Sequence, residues 1–175
     1  NFTYIKNKND SSNRFSCKTE AGINNRKLEK NSTKKIILNG QIRTFRIAIS
    51  STGEYTSYWG DDDDSNGSNQ EDALAAVVST LNRVNAIFEQ DLNIRLELVS
   101  DVSLLYEDSN TDPFNGNFAS ELQTTLDTEI GDAGYDLGHL FDFGEPNGDA
   151  GCVGCVCVSN KKGQGFSTHP FVDIY

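Results

Sequence analysis

Three cysteines crowd into six residues, Cys152, Cys155 and Cys157, in the order C-x-x-C-x-C; Cys17 is the fourth and stands far upstream. Thiolates at this spacing could hold a soft metal or carry a disulfide. A structural zinc site normally takes two ligand pairs, and Cys17 is the only thiol left to complete one, so disulfides are the favoured chemistry. Read as part of a strand, Cys155 and Cys157 would share one face and be poorly placed to bridge each other. A bridge from Cys17 to the cluster and one within it would use all four and leave no free thiol. Two acidic stretches have the alternating oxygen ligands that hard cations prefer. Asp62-x-Asp64-x-Asn66-Gly67 opens like a calcium loop, but its twelfth position is Ala73 instead of the bidentate Glu that sets affinity. Asp108-x-Asn110-x-Asp112 is the second candidate, and for both the competing reading is a solvated turn. The two histidines, His139 and His169, lie thirty residues apart, and neither belongs to an H-E-x-x-H pair. His139 reads as a satisfied strand histidine.

These side chains need elements to position them. The first strong strand is 43–49, where Phe45, Ile47 and Ile49 share one face. After the acidic loop a long helix is predicted over 69–90: Leu74, Val77, Val78, Leu81, Val84 and Phe88 recur at helical spacing, and Glu71 and Asp72 suit the dipole at its start. A strand follows at 94–99. A second helix carries the ladder Phe118, Leu122, Leu126 and Ile130 and ends at Gly131 and Gly134. A further strand is expected at 135–141. Strand, helix, strand, helix, strand gives a mostly parallel sheet with right-handed crossovers, an α/β (α+β) fold of four or five strands. Residues 1–40, rich in Asn, Lys and Ser, read as a polar arm, with a short strand at 36–40 ending in an Asn-Gly turn.

The totals narrow the class. A chain of 175 residues is one domain with a real core, and 36% of its residues are hydrophobic. Its net charge of −11 repels phosphate backbones, which argues against nucleic acid as a partner and suits a soluble extracellular protein. No apolar run approaches the roughly 20 residues that span a bilayer. The segment Asn1-Phe2-Thr3-Tyr4 has neither the basic nor the apolar region of a signal peptide, so a secreted form would have lost one.

From Arg43 onward the chain resembles the reprolysin-like zinc metallopeptidases, metzincins of a secreted bacterial branch. Four segments carry the likeness: Arg43-Thr44-Phe45-Arg46-Ile47-Ala48 with Gly53-Glu54-Tyr55; Ala73-Leu74-Ala75-Ala76 through Leu81-Asn82-Arg83-Val84-Asn85 to Ile87-Phe88-Glu89; Tyr135-Asp136-Leu137-Gly138-His139-Leu140-Phe141; and Pro170-Phe171-Val172-Asp173-Ile174-Tyr175, which looks like the lead-in to an active-site helix. Together they span about three quarters of the chain.

The resemblance implies an upper subdomain with an antiparallel edge strand and two long helices. It also implies a zinc ion held by H-E-x-x-H-x-x-G-x-x-H, whose Glu is the general base. That motif is absent here, so residues 41–175 are expected to be the N-terminal subdomain, truncated before the zinc-binding helix, with no catalytic residue of their own. The remainder of the catalytic domain is then the implied partner, together with a peptide or protein substrate. Gly151, Cys152, Val153, Gly154 and Cys155 fall where the family's edge strand would hold substrate by main-chain hydrogen bonds. His169 would border the pocket beyond the scissile bond. Cys17, if the arm is a propeptide remnant, could cap the zinc in a latent form. The rival reading is a noncatalytic secreted module that binds calcium or protein.

Overall fold

The computed structural model describes residues 16–17, 41–61, 65 and 67–168. Local chemistry starts each helix. Thr52 caps α1 (Gly53–Trp59), its hydroxyl accepting from the Tyr55 N–H. Ser68 caps α2 (Asn69–Leu92) in a reciprocal box with Glu71, which satisfies donors that would otherwise face nothing. α2 stops at Asn93, which adopts the left-handed conformation that asparagine tolerates. α3 spans Phe118–Glu129.

The strands are β1 (Ser16–Cys17), β2 (Arg43–Ser51), β3 (Ile94–Leu98), β4 (Leu137–Asp142), β5 (Asn147–Asp149) and β6 (Gly165–Thr168). They form one sheet in the order β1-β5-β6-β4-β2-β3. All neighbours are parallel except β5 and β6, so the antiparallel strand lies at one edge with only the two-residue β1 outside it. Helices cover both faces. Ile47, Ile49, Leu96 and Phe141 pack under α2 through Ala73, Val77 and Leu81. Ala48 and Leu140, on the opposite face, meet Leu122 and Leu126 of α3. The predicted ladders of β2 and α3 are therefore core. Val78 is an exception: it lies 40% exposed, because the apolar stripe of α2 is narrower than its sequence spacing implied.

The outer strand β3 is held by a side chain as well as by β2. Asn85 of α2 donates through Nδ2 to the Leu96 carbonyl (2.8 Å) and accepts the Leu96 N–H at Oδ1 (2.8 Å). Its amide thus reproduces what a neighbouring strand would offer.

The edge strand expected at 151–156 is not there. Gly151, Gly154 and Cys157 have φ of 72°, 81° and 63°, left-handed backbone that a pleated strand does not accommodate. A disulfide also joins Cys152 to Cys155, with Cα atoms 5.8 Å apart, and a bridge over three residues closes a turn. The resemblance put the edge strand at this segment, whereas the antiparallel strand is the polar Asn147-Gly148-Asp149. Short α1 had no counterpart among the predicted elements, and the predicted strand at 36–40 lies outside the described residues.

Candidate functional site

β5 and β6 build one rim of the molecule. Asn147 pairs with Thr168, Gly148 with Ser167 and Asp149 with Phe166, and β6 continues in parallel onto β4 through His139 and Gly165. The bridged turn 152–155 borders an open hollow of about 400 Å³ beside this sheet, lined by Leu137, His139, Asp149, Cys152, Cys155 and Phe166 among others. Beyond His139 an apolar groove of about 390 Å³ runs along α2 past Val84, Ile87 and Phe88. Leu137 and His139 line both hollows.

The partly buried His139 shares a hydrogen bond between Nε2 and the Ser167 hydroxyl (2.9 Å) and packs edge-on against Phe141. Burial pushes its pKa down to about 4, so the ring is neutral near pH 7. Gly165 passes so near that an added Cβ would come to 3.0 Å from His139 Nδ1.

The segment leading into β6 is fixed by a polar cluster on the α3 side. The fully buried Tyr135 donates its phenol to Asp127 Oδ1 (2.8 Å) and accepts from Gln123 Nε2 (2.8 Å), and Gln123 Oε1 receives the Gly163 N–H (2.8 Å). Desolvation and the Asp127 carboxylate raise the phenol's pKa. Lys162, 8% exposed, lies 4.5 Å over the Tyr135 ring and binds the Asp132 carbonyl and carboxylate. Hydrogen bonds from Ser159 and Lys162 hold the Asp132 carboxyl below its usual range. Tyr135→Phe should lower stability by about 1–2 kcal/mol, because it removes the shared hydroxyl and strands buried partners. Urea unfolding with an unchanged slope would measure that loss, and a variant as stable as the parent would show that the cluster is idle.

The predicted site residues scatter. Cys152 and Cys155 reach the hollow as a disulfide, but Gly151, Val153 and Gly154 form the turn beside it, with Val153 77% exposed. Cys157 is an exposed free thiol, which corrects the expectation that every cysteine is bridged. Cys17 stands in β1 opposite Gly148. Asp108, Asn110 and Asp112 do not converge on a cation. Asp108 Oδ1 accepts from the Asn110 main-chain and side-chain amides (2.9 and 2.8 Å), which also lowers the Asp108 pKa. Asp112 turns away to receive the N–H groups of Gly53 (2.8 Å) and Phe114 (2.9 Å). Their alternation serves the loop backbone, a use that sequence spacing does not separate from a calcium loop. Asp62, Asp64, Asn66 and His169 lie outside the described residues. Among the described residues no group of three His, Cys, Asp or Glu could hold a metal ion, so those side chains do not fit a zinc centre. Sequence reasoning missed Ser167 and Lys162, whose partners are distant in the chain and leave no local signal.

A two-faced sheet with an antiparallel rim and two long helices is the architecture that the resemblance implied. A profile of the metallopeptidase family M12B, reprolysin-like, matches residues 41–174. The chain belongs to that family. A search of curated proteins returns no match. Family M12B places the reprolysin-like chain among proteases, hydrolases that generally depend on zinc and act on protein. No described helix is long and apolar enough to cross a membrane, and with its disulfide the reprolysin-like chain is compatible with an extracellular setting.

Proposed function

We propose that this chain supplies the substrate-rim half of a secreted zinc endopeptidase whose zinc ligands lie outside these 175 residues. The observation that carries the reading is the family match over residues 41–174, combined with the sequence's lack of an H-E-x-x-H pair. Zinc, when bound by the remainder of the catalytic domain, supplies the Lewis acid. The residues described here contribute shape and main-chain hydrogen bonds. Substrate adds to the outer side of β5, at Asn147–Asp149, instead of at the turn 151–155. The apolar groove beside Val84, Ile87 and Phe88 is the sheet face that the remaining part of the domain covers. Ser16–Cys17 now lies along the same outer side of β5, so the arm and a substrate strand compete for it, and Cys17 is then a latent zinc ligand. The loop geometry at Asp108–Asp112 weighs against the rival reading of a calcium module.

The test is hydrolysis of a denatured protein substrate, with and without a zinc chelator. Residues 1–175 alone are expected to be inactive, and mixing them with the separately produced remainder of the domain should give chelator-sensitive cleavage. Chelator-sensitive cleavage by residues 1–175 alone would overturn the proposal, as would a remainder fully active without them. In the restored enzyme, Gly148→Pro should raise KM about tenfold with less change in kcat. Proline deletes the N–H that now rests on the Asn147 side chain (2.9 Å) and that a bound strand would need.

A further inference from the structure

The cysteine cluster holds three thiol groups for one bond. Cys152 and Cys155 are bridged, and the exposed Cys157 follows two residues later. The Val158 N–H donates to the Cys155 carbonyl (3.0 Å), so Cys155, Val156 and Cys157 lie in a closed turn. Two Cα atoms at that separation in a turn stand about 5.5 Å apart, within the range a disulfide spans. The extended geometry that would keep Cys155 and Cys157 from bridging is therefore absent. The bridged turn is uncrowded at its middle: Gly154 has φ of 81°, and the space beside its Cα is open. Cys157 is anchored at its other side, its N–H donating to the Asp136 carbonyl (2.8 Å). The thiolate is the species that attacks disulfides.

We propose that C-x-x-C-x-C is an exchangeable disulfide shared among three cysteines, with Cys157 as the attacking group. The Cys157 thiolate attacks Cys155 Sγ, a Cys155–Cys157 bond forms, the Cys152–Cys155 bond breaks, and Cys152 leaves as a thiolate that takes up a proton. One disulfide and one thiol stand on each side of the reaction, so no outside oxidant or reductant is needed. The shift matters for the rim, because Cys152 and Cys155 both line the hollow beside the turn. Moving the bond frees Cys152 from that wall and opens it to a thiol-bearing reagent. A metal reading of the same cluster has no support, since no metal-holding group of these side chains exists among the described residues.

The experiment uses the full 175-residue chain carrying Cys17→Ser, which keeps the fourth thiol out of the assay. The oxidised protein is alkylated with iodoacetamide under native conditions at about pH 8, where thiolates form, and at about pH 5, where they are scarce. It is then quenched in acid and mapped by mass spectrometry without reduction. At the higher pH the label should appear on Cys152 as well as Cys157, together with a Cys155–Cys157 peptide; at the lower pH both signals should fade. Cys157→Ser should take up no label and keep only the Cys152–Cys155 bond. Cys152→Ser, supplied with oxidised glutathione, should close a Cys155–Cys157 bond. Label confined to Cys157 at both pH values, or a Cys152→Ser protein that keeps two free thiols, would overturn the proposal.

Discussion

Gly53→Ala is expected to cost about 4 kcal/mol of stability. Gly53 opens α1, and a Cβ at this position would fall on the main chain of Asp108 and Ser109, which cannot rotate aside as a side chain would. Overpacking alone costs about 1–3 kcal/mol. The displacement also stretches the hydrogen bond from the Gly53 N–H to the buried Asp112 carboxylate (2.8 Å), a charge-assisted contact worth about 1.5–3 kcal/mol. Chemical denaturation should show the fall at an unchanged slope. Gly131→Ala tests the mechanism: nothing lies within 4 Å of the new Cβ, so only the strain of φ 83° remains, and its loss should be clearly smaller. Equal losses at the two sites would mean that the contact with Ser109 is unimportant.

Mild acid is expected to unsettle the protein through His139. Burial holds its folded pKa at about 4, below the ordinary 6.5, so between these values the unfolded chain takes up a proton that the folded one refuses. The contribution of a neutral His139 is therefore full above about pH 6.5, falls as the pH drops through the window, and is gone below about pH 4. At about 1.4 kcal/mol per unit the loss is at most about 3 kcal/mol. The carboxyls with lowered pKa values, such as Asp136 beside Arg46, lose their contribution only below the usual carboxylate value of 3.8. His139→Gln, which can still meet the Ser167 hydroxyl, should flatten the urea midpoint between about pH 6.5 and 4. An unchanged slope in that variant would assign the effect elsewhere.

The parts of the fold that could be read from the sequence are those whose pattern is local and repeated. Phe45, Ile47 and Ile49 alternate, and Phe118, Leu122 and Leu126 step by four, because each element buries one face. The rim was not legible, since Asn147-Gly148-Asp149 becomes a strand only by pairing with Gly165–Thr168, and that pairing has no signature of period two. Val153 and Val156 carried the opposite error: the resemblance puts them in an edge strand, yet both are exposed in or beside a bridged turn. The acidic triplet at Asp108–Asp112 shows the same ambiguity in polar form, because oxygens that could surround a cation also serve to fix a loop against α1.

The amide of Asn85 has a consequence for how the molecule behaves in a crowd. An unpaired outer strand invites edge-to-edge growth, copy upon copy, into aggregates. Leu96 is the middle residue of β3, and both of its main-chain groups are already taken by that side chain. A second copy approaching this edge would have to displace an intramolecular partner before gaining anything. The sheet thus resists recruits at the centre of β3, while its opposite border is held by the two-residue β1 along β5.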